Sequence, residues 1–401
     1  MKSILIVINT LGHAGAEVAL LELCRHFDPA EYEISLYVLM GQGEMIHKLP
    51  DYVKVKNVQY DDSSVLSSAG KKHMIKQVMK AFFTRGSGWK NLSYLVGNLW
   101  DMLRHGRVQA DKLLWRVLSD GGQLFEEHYD LAVAYLEGGS TYYVTDHVKA
   151  ERKAAFVHVD YNRAGYTRKL DRDCYLKLDK IFPVSDEVKA AFLETYPECA
   201  DRTEVFHNLI DQEGIRRRAL EGTGFTDDYK GIRILSVGRL TAQKAYEISI
   251  RAMELLKKQG VQTRWYVLGE GNQRGKLETL IAQAGLQEDF CLLGAKENPY
   301  PYMKEADIYV HASRFEGKSI AIQEAQTLGC AMVVSDCSGN REQVINGVDG
   351  ILKPLTPENI SDGIVELIRD EAFRKRLGEN ARKKKLTDES EMQKLFSLIA
   401  E

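Results

Sequence analysis

Hydrophobic positions along this chain come in strand-length unbroken runs separated by amphipathic stretches. ILIVI at 4–8 is the first run, and similar runs predict strands at 3–9, 32–39, 130–135, 153–158 and 180–184. A glycine loop (10–15), a helix (16–27) and a largely helical stretch from about 71 to 118 lie between them. The second half repeats the scheme, with strands at 232–238, 263–269, 290–294, 306–313 and 331–335. Its helices are expected at 242–259, 272–284, around 300–305, within 314–329, at 357–370 and at 391–401. Strands apolar on both faces and alternating with helices are the pattern of a parallel, doubly wound sheet, here twice over. The polar break at 195–212 and the stretch from Glu213 to Lys230 separate the halves. The expected organisation is 1–205, a Rossmann-like domain; 206–385, a second Rossmann-like domain; and 386–401, a helix returning to the first.

A chain of 401 residues suits two such domains rather than one core. Apolar residues are 44% and charged residues 28%, and no apolar run is long enough to span a membrane. The first residues read as a buried strand, since the run ends after Ile8 with no cleavage pattern beyond it. Six scattered cysteines without a C-x-x-C pair point to a reduced, cytoplasmic protein without a zinc site. The net charge of −3 gives no pull towards nucleic acid. Locally the balance changes, because Lys71 to Arg116 holds ten Lys or Arg against two Asp.

RFEGKSIAIQEAQTLG (314–329) places Glu316 in a turn and Glu324 inside a helix, beside Ile320, Ala321 and Leu328. A carboxylate in that setting needs a partner. In open α/β sheets ligands bind beyond the carboxyl ends of strands, where helix N-termini present unpaired N–H groups. Gly317 permits close backbone approach there, Ser319 is placed to cap the helix, and N–H groups from Lys318, Ser319 and Ile320 open it. SVGRLTAQKAY (236–246) supplies Arg239 and Lys244 at a second strand end, two cations suited to a diphosphate. A third loop carries Gly12 and Gly15. GEGNQRG (269–275) has the spacing G-x-G-x-x-x-G, and Gly294, Ala295 and Lys296 stand where a ribose-binding acid belongs, which argues against a dinucleotide.

These motifs, with GAE (15–17), VHVDY (157–161), VSDEV (184–188), HNLID (207–211), LGEG (268–271) and GVDGIL (347–352), give a chain that resembles the retaining, nucleotide-sugar-dependent glycosyltransferases of the group 1 type, family four. The resemblance implies the GT-B fold, two Rossmann-like domains facing across a cleft, with C-terminal helices. It implies that Arg239 and Lys244 grip the donor diphosphate, with Gly317, Lys318, Ser319 and Ile320 on phosphate or sugar oxygens and Gly15 approaching from the first domain. Glu324 is then the ribose carboxylate, Glu316 and His158 are the catalytic pair beside the transferred sugar, and Gly294 and Ala295 lie against the nucleobase. Ala14, Ala245 and Lys318-Ser319 depart from the usual pattern of the family.

The implied reaction moves a sugar, with retention, from a nucleoside diphosphate donor (a UDP-linked sugar) to a hydroxyl of a saccharide or lipid-linked saccharide in surface polysaccharide assembly. No cofactor or metal is expected. Competing readings are a nucleotide-sugar epimerase, a phosphorylase, or a non-catalytic nucleotide-sugar-binding subunit of the same fold. Individually, Glu316 and Glu324 also fit structural carboxylates, Arg239 and Lys244 surface cations, and His158 a core histidine. The basic stretch 71–116 combines its cations with Phe82, Phe83, Trp89, Tyr94, Trp100 and Trp115, and Met74, Val78 and Phe82 share a helical face. It reads equally as an anionic-membrane contact or as an insertion packed on its own domain.

Overall fold

The computed structural model describes residues 1–65, 67–106 and 109–400. Arg107, one of the ten cations of the basic stretch, and Glu401 lie outside the described residues. The chain divides into two compact units, Met1–Leu209 with Glu389–Glu401, and Ile210–Asp388.

The first unit is built on six parallel strands: β1 (Lys2–Ile8), β2 (Tyr32–Val38), β3 (Lys54–Val55), β4 (His128–Ala134), β5 (Lys149–Val157) and β6 (Lys180–Pro183), in the order β3-β2-β1-β4-β5-β6. Ile4, Leu5, Ile6, Val7 and Ile8 are fully buried at the centre, as an apolar strand covered on both faces requires. β3 has only two residues, too few for a periodic signal, and was not foreseen. The boundary falls at 209/210 rather than 205/206, because Phe206 N–H still bonds Pro183 at the end of β6. The last helix, Glu391–Ala400, belongs to this unit, with Phe396 against the rings of Phe27 and Tyr32.

The second unit repeats the topology with β7 (Ile232–Val237), β8 (Thr263–Leu268), β9 (Phe290–Gly294), β10 (Ile308–His311), β11 (Met332–Ser335) and β12 (Ile351–Lys353), again all parallel, in the order β12-β11-β10-β7-β8-β9. Two departures from the sequence expectation matter for the site. The helix expected over 242–259 is divided: a short turn, Ala242–Lys244, ends at Ala245 in the left-handed region (φ +47°), and the regular helix runs Tyr246–Lys258. The left-handed residue reverses the chain so that Lys244 is released from the helix surface. Likewise the helix after Glu316 is Ile320–Leu328, since Ser319 is still extended (φ −75°, ψ 113°). Lys318 and Ser319 therefore precede the helix rather than forming its first turn.

The loops at the carboxyl ends of β7, β8 and β9 are locked together. Gly238 N–H donates to Leu268, Leu240 N–H to Glu270, Gly269 N–H to Gly294, and Gln273 N–H back to Leu240, all at 2.9–3.0 Å. A Cβ at Gly269 would lie 2.0 Å from the Gly238 carbonyl oxygen, and one at Gly271 would lie 2.3 Å from that of Leu240. The glycines of GEGNQRG serve this backbone approach between loops.

Candidate functional site

In the second unit the site begins with Glu316, 7% exposed in the turn after β10. Lys244 Nζ donates to its Oε1 at 2.7 Å, His311 Nε2 lies 3.1 Å from the same oxygen, and the Ser313 hydroxyl donates to it as well. Gln243 Nε2 reaches Oε2 at 3.5 Å. Burial alone would raise the carboxyl, but the Lys244 ammonium and the His311 ring outweigh it and hold Glu316 well below the usual carboxylate range. His311 is pushed down by burial and by the same ammonium; its Nε2 donates to Glu316 Oε1 and lies 3.3 Å from Lys244 Nζ. This is an ion pair in a dry pocket with its remaining lone pairs satisfied, the arrangement that makes burial of charge tolerable.

The helix Ile320–Leu328 opens beside it without a side-chain cap. Ser319 occupies the cap position, but its hydroxyl lies 3.3 Å from His311 Nε2 instead of on a helix N–H, so the capping expectation is corrected. The first-turn N–H groups, from Ile320 onward, keep the partial positive charge of a helix N-terminus. Gly317 is buried: a Cβ on Gly339 would come 2.1 Å from its carbonyl oxygen, so the loop after β11 presses directly on this turn. Lys318 is half-buried. Arg239 is exposed in the loop after β7 and makes no side-chain hydrogen bond or ion pair among the described residues.

Glu324 is 8% exposed on the same helix and accepts from the Tyr300 hydroxyl at 2.8 Å, while the Arg218 guanidinium lies 4.7 Å from the Tyr300 ring centre. Burial pushes its carboxyl up to about 7, against the opposing effects of Tyr300 and Arg218. One oxygen thus has a protein partner and the group is only loosely held as an anion. Gly294 ends β9 with φ +78°, and Ala295 follows it exposed to solvent.

The first unit presents its own carboxyl-edge cluster. His158 follows β5, its ring 5.0 Å from Tyr135 and stacked on Phe156 at 5.9 Å. Burial pushes the ring down to about 3, so it is neutral, and the buried Nε2 has no hydrogen-bond partner. Glu137, 3% exposed, accepts the backbone N–H groups of His158 and Val159 and is bound through its carbonyl to Asn9 Nδ2 at 3.0 Å. Gly15 starts the helix Gly15–Arg25 and is exposed, and neither it nor Gly12 takes a left-handed φ.

Sequence reasoning missed His311, Tyr300 and Glu137. A histidine at the end of an apolar strand, five residues before Glu316, was the available signal for the first. A depression of about 610 Å³ lies at the opposite, amino-terminal edge of the second sheet, where Asp227 is bound by Arg233 and Tyr266. It holds none of the candidate site residues.

Residues 226–384 match the model of the glycosyl transferases of group 1. The chain is 34% identical over 203 residues to an N-acetylgalactosamine-N,N'-diacetylbacillosaminyl-diphospho-undecaprenol 4-alpha-N-acetylgalactosaminyltransferase of Campylobacter jejuni, covering 50% of this chain and 54% of that one. It is 32% identical over 152 residues to the alpha-D-kanosaminyltransferase of Streptomyces kanamyceticus, covering 37% and 39%. The chain thus spans about half the length, or less, of these curated relatives. Among solved structures, HepE of Anabaena in complex with UDP and glucose superposes over the whole of both chains with a TM-score of 0.69 at 16% identity. The sucrose-phosphate synthase of Thermosynechococcus elongatus does so with 0.68 at 14%, over 100% of this chain and 98% of that one. Residues 226–384 of the second unit are thus similar to the group 1 glycosyl transferases, and the chain has the GT-B fold.

Proposed function

We propose that the chain transfers a sugar from a nucleoside diphosphate donor to a hydroxyl of a saccharide or lipid-linked saccharide acceptor, with retention of anomeric configuration. The observation that carries this reading is the convergence of the Lys244–Glu316 pair with the uncapped N-terminus of the helix Ile320–Leu328. Arg239, Lys244 and the first-turn N–H groups form a preorganised set of positive charge for the departing diphosphate, whose charge grows as the bond to the anomeric carbon breaks. Gly317, Lys318 and Ser319 line the approach to it.

Glu324, with Tyr300 beside it, accepts the ribose hydroxyls; a dry setting strengthens both bonds. Gly294 and Ala295 face the base, and UDP is the preferred carrier. Glu316 stays ionised, so it is not a proton donor: it orients Lys244 and stabilises positive charge on the sugar. The leaving phosphate takes the acceptor proton on the same face, and no covalent nucleophile is assigned. His158, neutral with a vacant buried Nε2, is suited to a hydrogen bond with a sugar hydroxyl rather than to proton transfer. Gly15, at the start of its helix, contributes backbone to the diphosphate in this reading.

The Campylobacter relative's name describes a diphospho-undecaprenol-linked acceptor, which supports a lipid-linked saccharide acceptor for this chain. The direct experiment is thermal protection by a panel of nucleotide sugars, followed by transfer to saccharide acceptors and assignment of the anomeric configuration of the product by NMR. A stabilising donor and a retained configuration are expected. Protection by none of them, or an inverted product, would reject the reading; a free, altered sugar formed without acceptor would favour an epimerase.

A further inference from the structure

The helices Ser68–Phe83 and Leu92–Arg104 of the first unit turn apolar side chains outward. On the second, Leu92, Val96, Leu99, Trp100 and Leu103 are 40–61% exposed and form one stripe at helical spacing. The face that packs inward is the more polar one: Tyr94, whose hydroxyl donates to Leu170, and Asn98 are the buried residues of this helix. On the first helix, Met74 and Val78 pack against the core of their own unit, while the adjacent row, Ile75, Met79 and Phe83, is exposed by 53–66%. The expected face of Met74, Val78 and Phe82 is therefore the internal one. Trp89, 66% exposed, joins the two helices through its contact with Phe82.

Nine of the sixteen exposed large apolar side chains among the described residues fall between Ile75 and Leu103, a concentration that single surface hydrophobics do not explain. Charge surrounds them. Lys71, Lys72, Lys76, Lys80 and Lys90 are exposed and have no ion-pair partner among the described residues, and Arg104 lies against Trp100 at 5.4 Å. Of the other described cations of the stretch, Arg116 is 2% exposed and pairs with Asp146, Lys112 is buried over the Tyr166 ring, and Arg85, itself exposed, bonds the Gly122 carbonyl. What remains outside is an apolar stripe with indole rings, flanked by unpaired lysines.

We propose that this surface docks on an anionic lipid bilayer. An apolar stripe with tryptophans seats at the boundary of headgroups and acyl chains, and flanking lysines complement the negative surface potential. A protein partner would have no need of both features along two helices. The proposal stands on this surface alone and is independent of the donor site, so vesicle binding and donor binding fail or succeed separately.

The test uses the full chain and phosphatidylglycerol-containing vesicles against pure phosphatidylcholine vesicles, by co-sedimentation. Binding to the anionic vesicles at about 0.1 M salt, weakened at about 1 M where screening is complete within a few ångströms, is expected. Val96→Glu with Trp100→Glu should lower partition by at least about tenfold, and Lys72→Glu, Lys76→Glu and Lys80→Glu together by on the order of a hundredfold. The two sets are independent of one another, and both lie on exposed positions, so melting curves like the parent's are expected and nucleotide-sugar protection should be unchanged. Absence of binding to anionic vesicles, equal binding to neutral ones, or full binding by both variant sets overturns the proposal. So does a vesicle-free dimer that Val96→Glu with Trp100→Glu dissociates, which would assign the stripe to a second copy of the chain.

Discussion

Lys244 Nζ sits 2.7 Å from Glu316 Oε1 although the two residues are 72 positions apart, and the ammonium that neutralises this carboxylate is the one assigned to the donor diphosphate. Stability and binding are thereby coupled at one residue. Lys244→Met should leave Glu316 as an uncompensated buried charge, destabilising the protein by about 3–5 kcal/mol, and should also weaken nucleoside diphosphate binding. Adding Glu316→Gln should restore most of the stability and none of the affinity. Glu316→Gln alone should lower kcat and leave diphosphate affinity close to the parent's. Urea unfolding and isothermal titration of the four proteins check this; recovery of affinity in the double variant would remove Lys244 from the phosphate site.

Glu324 carries the opposite electrostatic signature, and pH separates it from Glu316. With its carboxyl raised to about 7 from an ordinary value near 4.5, the folded protein holds this proton more tightly than the unfolded chain. Its protonated form favours the fold fully below about pH 4.5, and that contribution is lost as pH rises through about 7. Ribose hydroxyls need the ionised form as acceptor, so donor affinity should increase from pH 6 to pH 8. The diphosphate also gains charge over part of that range, which makes Glu324→Gln the necessary comparison. That variant should bind more weakly, with a flatter pH dependence and better acid-to-neutral stability retention. Parallel pH profiles for the two proteins would remove Glu324 from the ribose.

All strands but the short edge strands β3 and β12 were visible in the sequence, because apolar runs buried on two faces leave little ambiguity, as β1 and β10 show. Glu316, Glu324, Arg239 and Lys244 were visible because their loops sit at strand ends. The partners were not. His311 hides in an apolar run, and its meeting with Glu316 depends on how the turn at 312–316 folds back. Tyr300 reaches Glu324 only through the packing of two helices 24 positions apart. Which row of Ser68–Phe83 faces outward stayed open in the sequence, since Met74, Val78 and Phe82 and the neighbouring Ile75, Met79 and Phe83 are equally apolar. Only tertiary contact decides which row turns inward.

Ala245 offers a stability test that touches no ligand group. It adopts φ +47° and is fully buried, a conformation that costs a non-glycine residue roughly 1–2 kcal/mol. Glycine removes that strain and returns about 0.5–1 kcal/mol to the unfolded chain as entropy. Ala245→Gly should therefore stabilise by about 0.5–1 kcal/mol, read as a higher urea midpoint. A lower midpoint would mean that the alanine methyl packs well enough to outweigh the strain.

Charge for the leaving diphosphate comes from Arg239, Lys244 and a helix N-terminus in the proposed reaction, so transfer should proceed without divalent metal. Activity in excess chelator should stay close to that of untreated enzyme. Arg239→Ala should lower turnover and diphosphate affinity together, because the side chain is exposed and free to close on the donor. Abolition by chelator with recovery on adding Mg²⁺ or Mn²⁺ would contradict the assignment.

Gly271 and Gly275 belong to one glycine-rich stretch but have opposite surroundings, and this difference tests whether the interlocked loops hold the phosphate cations in place. A Cβ at Gly271 would meet Leu240 O, C and N at 2.3, 2.7 and 2.8 Å, all backbone atoms that cannot move aside. Gly271→Ala must push the loop that bears Arg239 and precedes Lys244, although it deletes no charged group. The displacement should cost about 1–3 kcal/mol of stability and weaken diphosphate binding about tenfold. At Gly275, within the helix Arg274–Gln283, a Cβ would meet nothing within 4 Å. Gly275→Ala should stabilise the helix by about 0.5–1 kcal/mol and leave affinity unchanged. Equal affinities for the two variants would show that the phosphate loop keeps its shape without the backbone contact at Leu240.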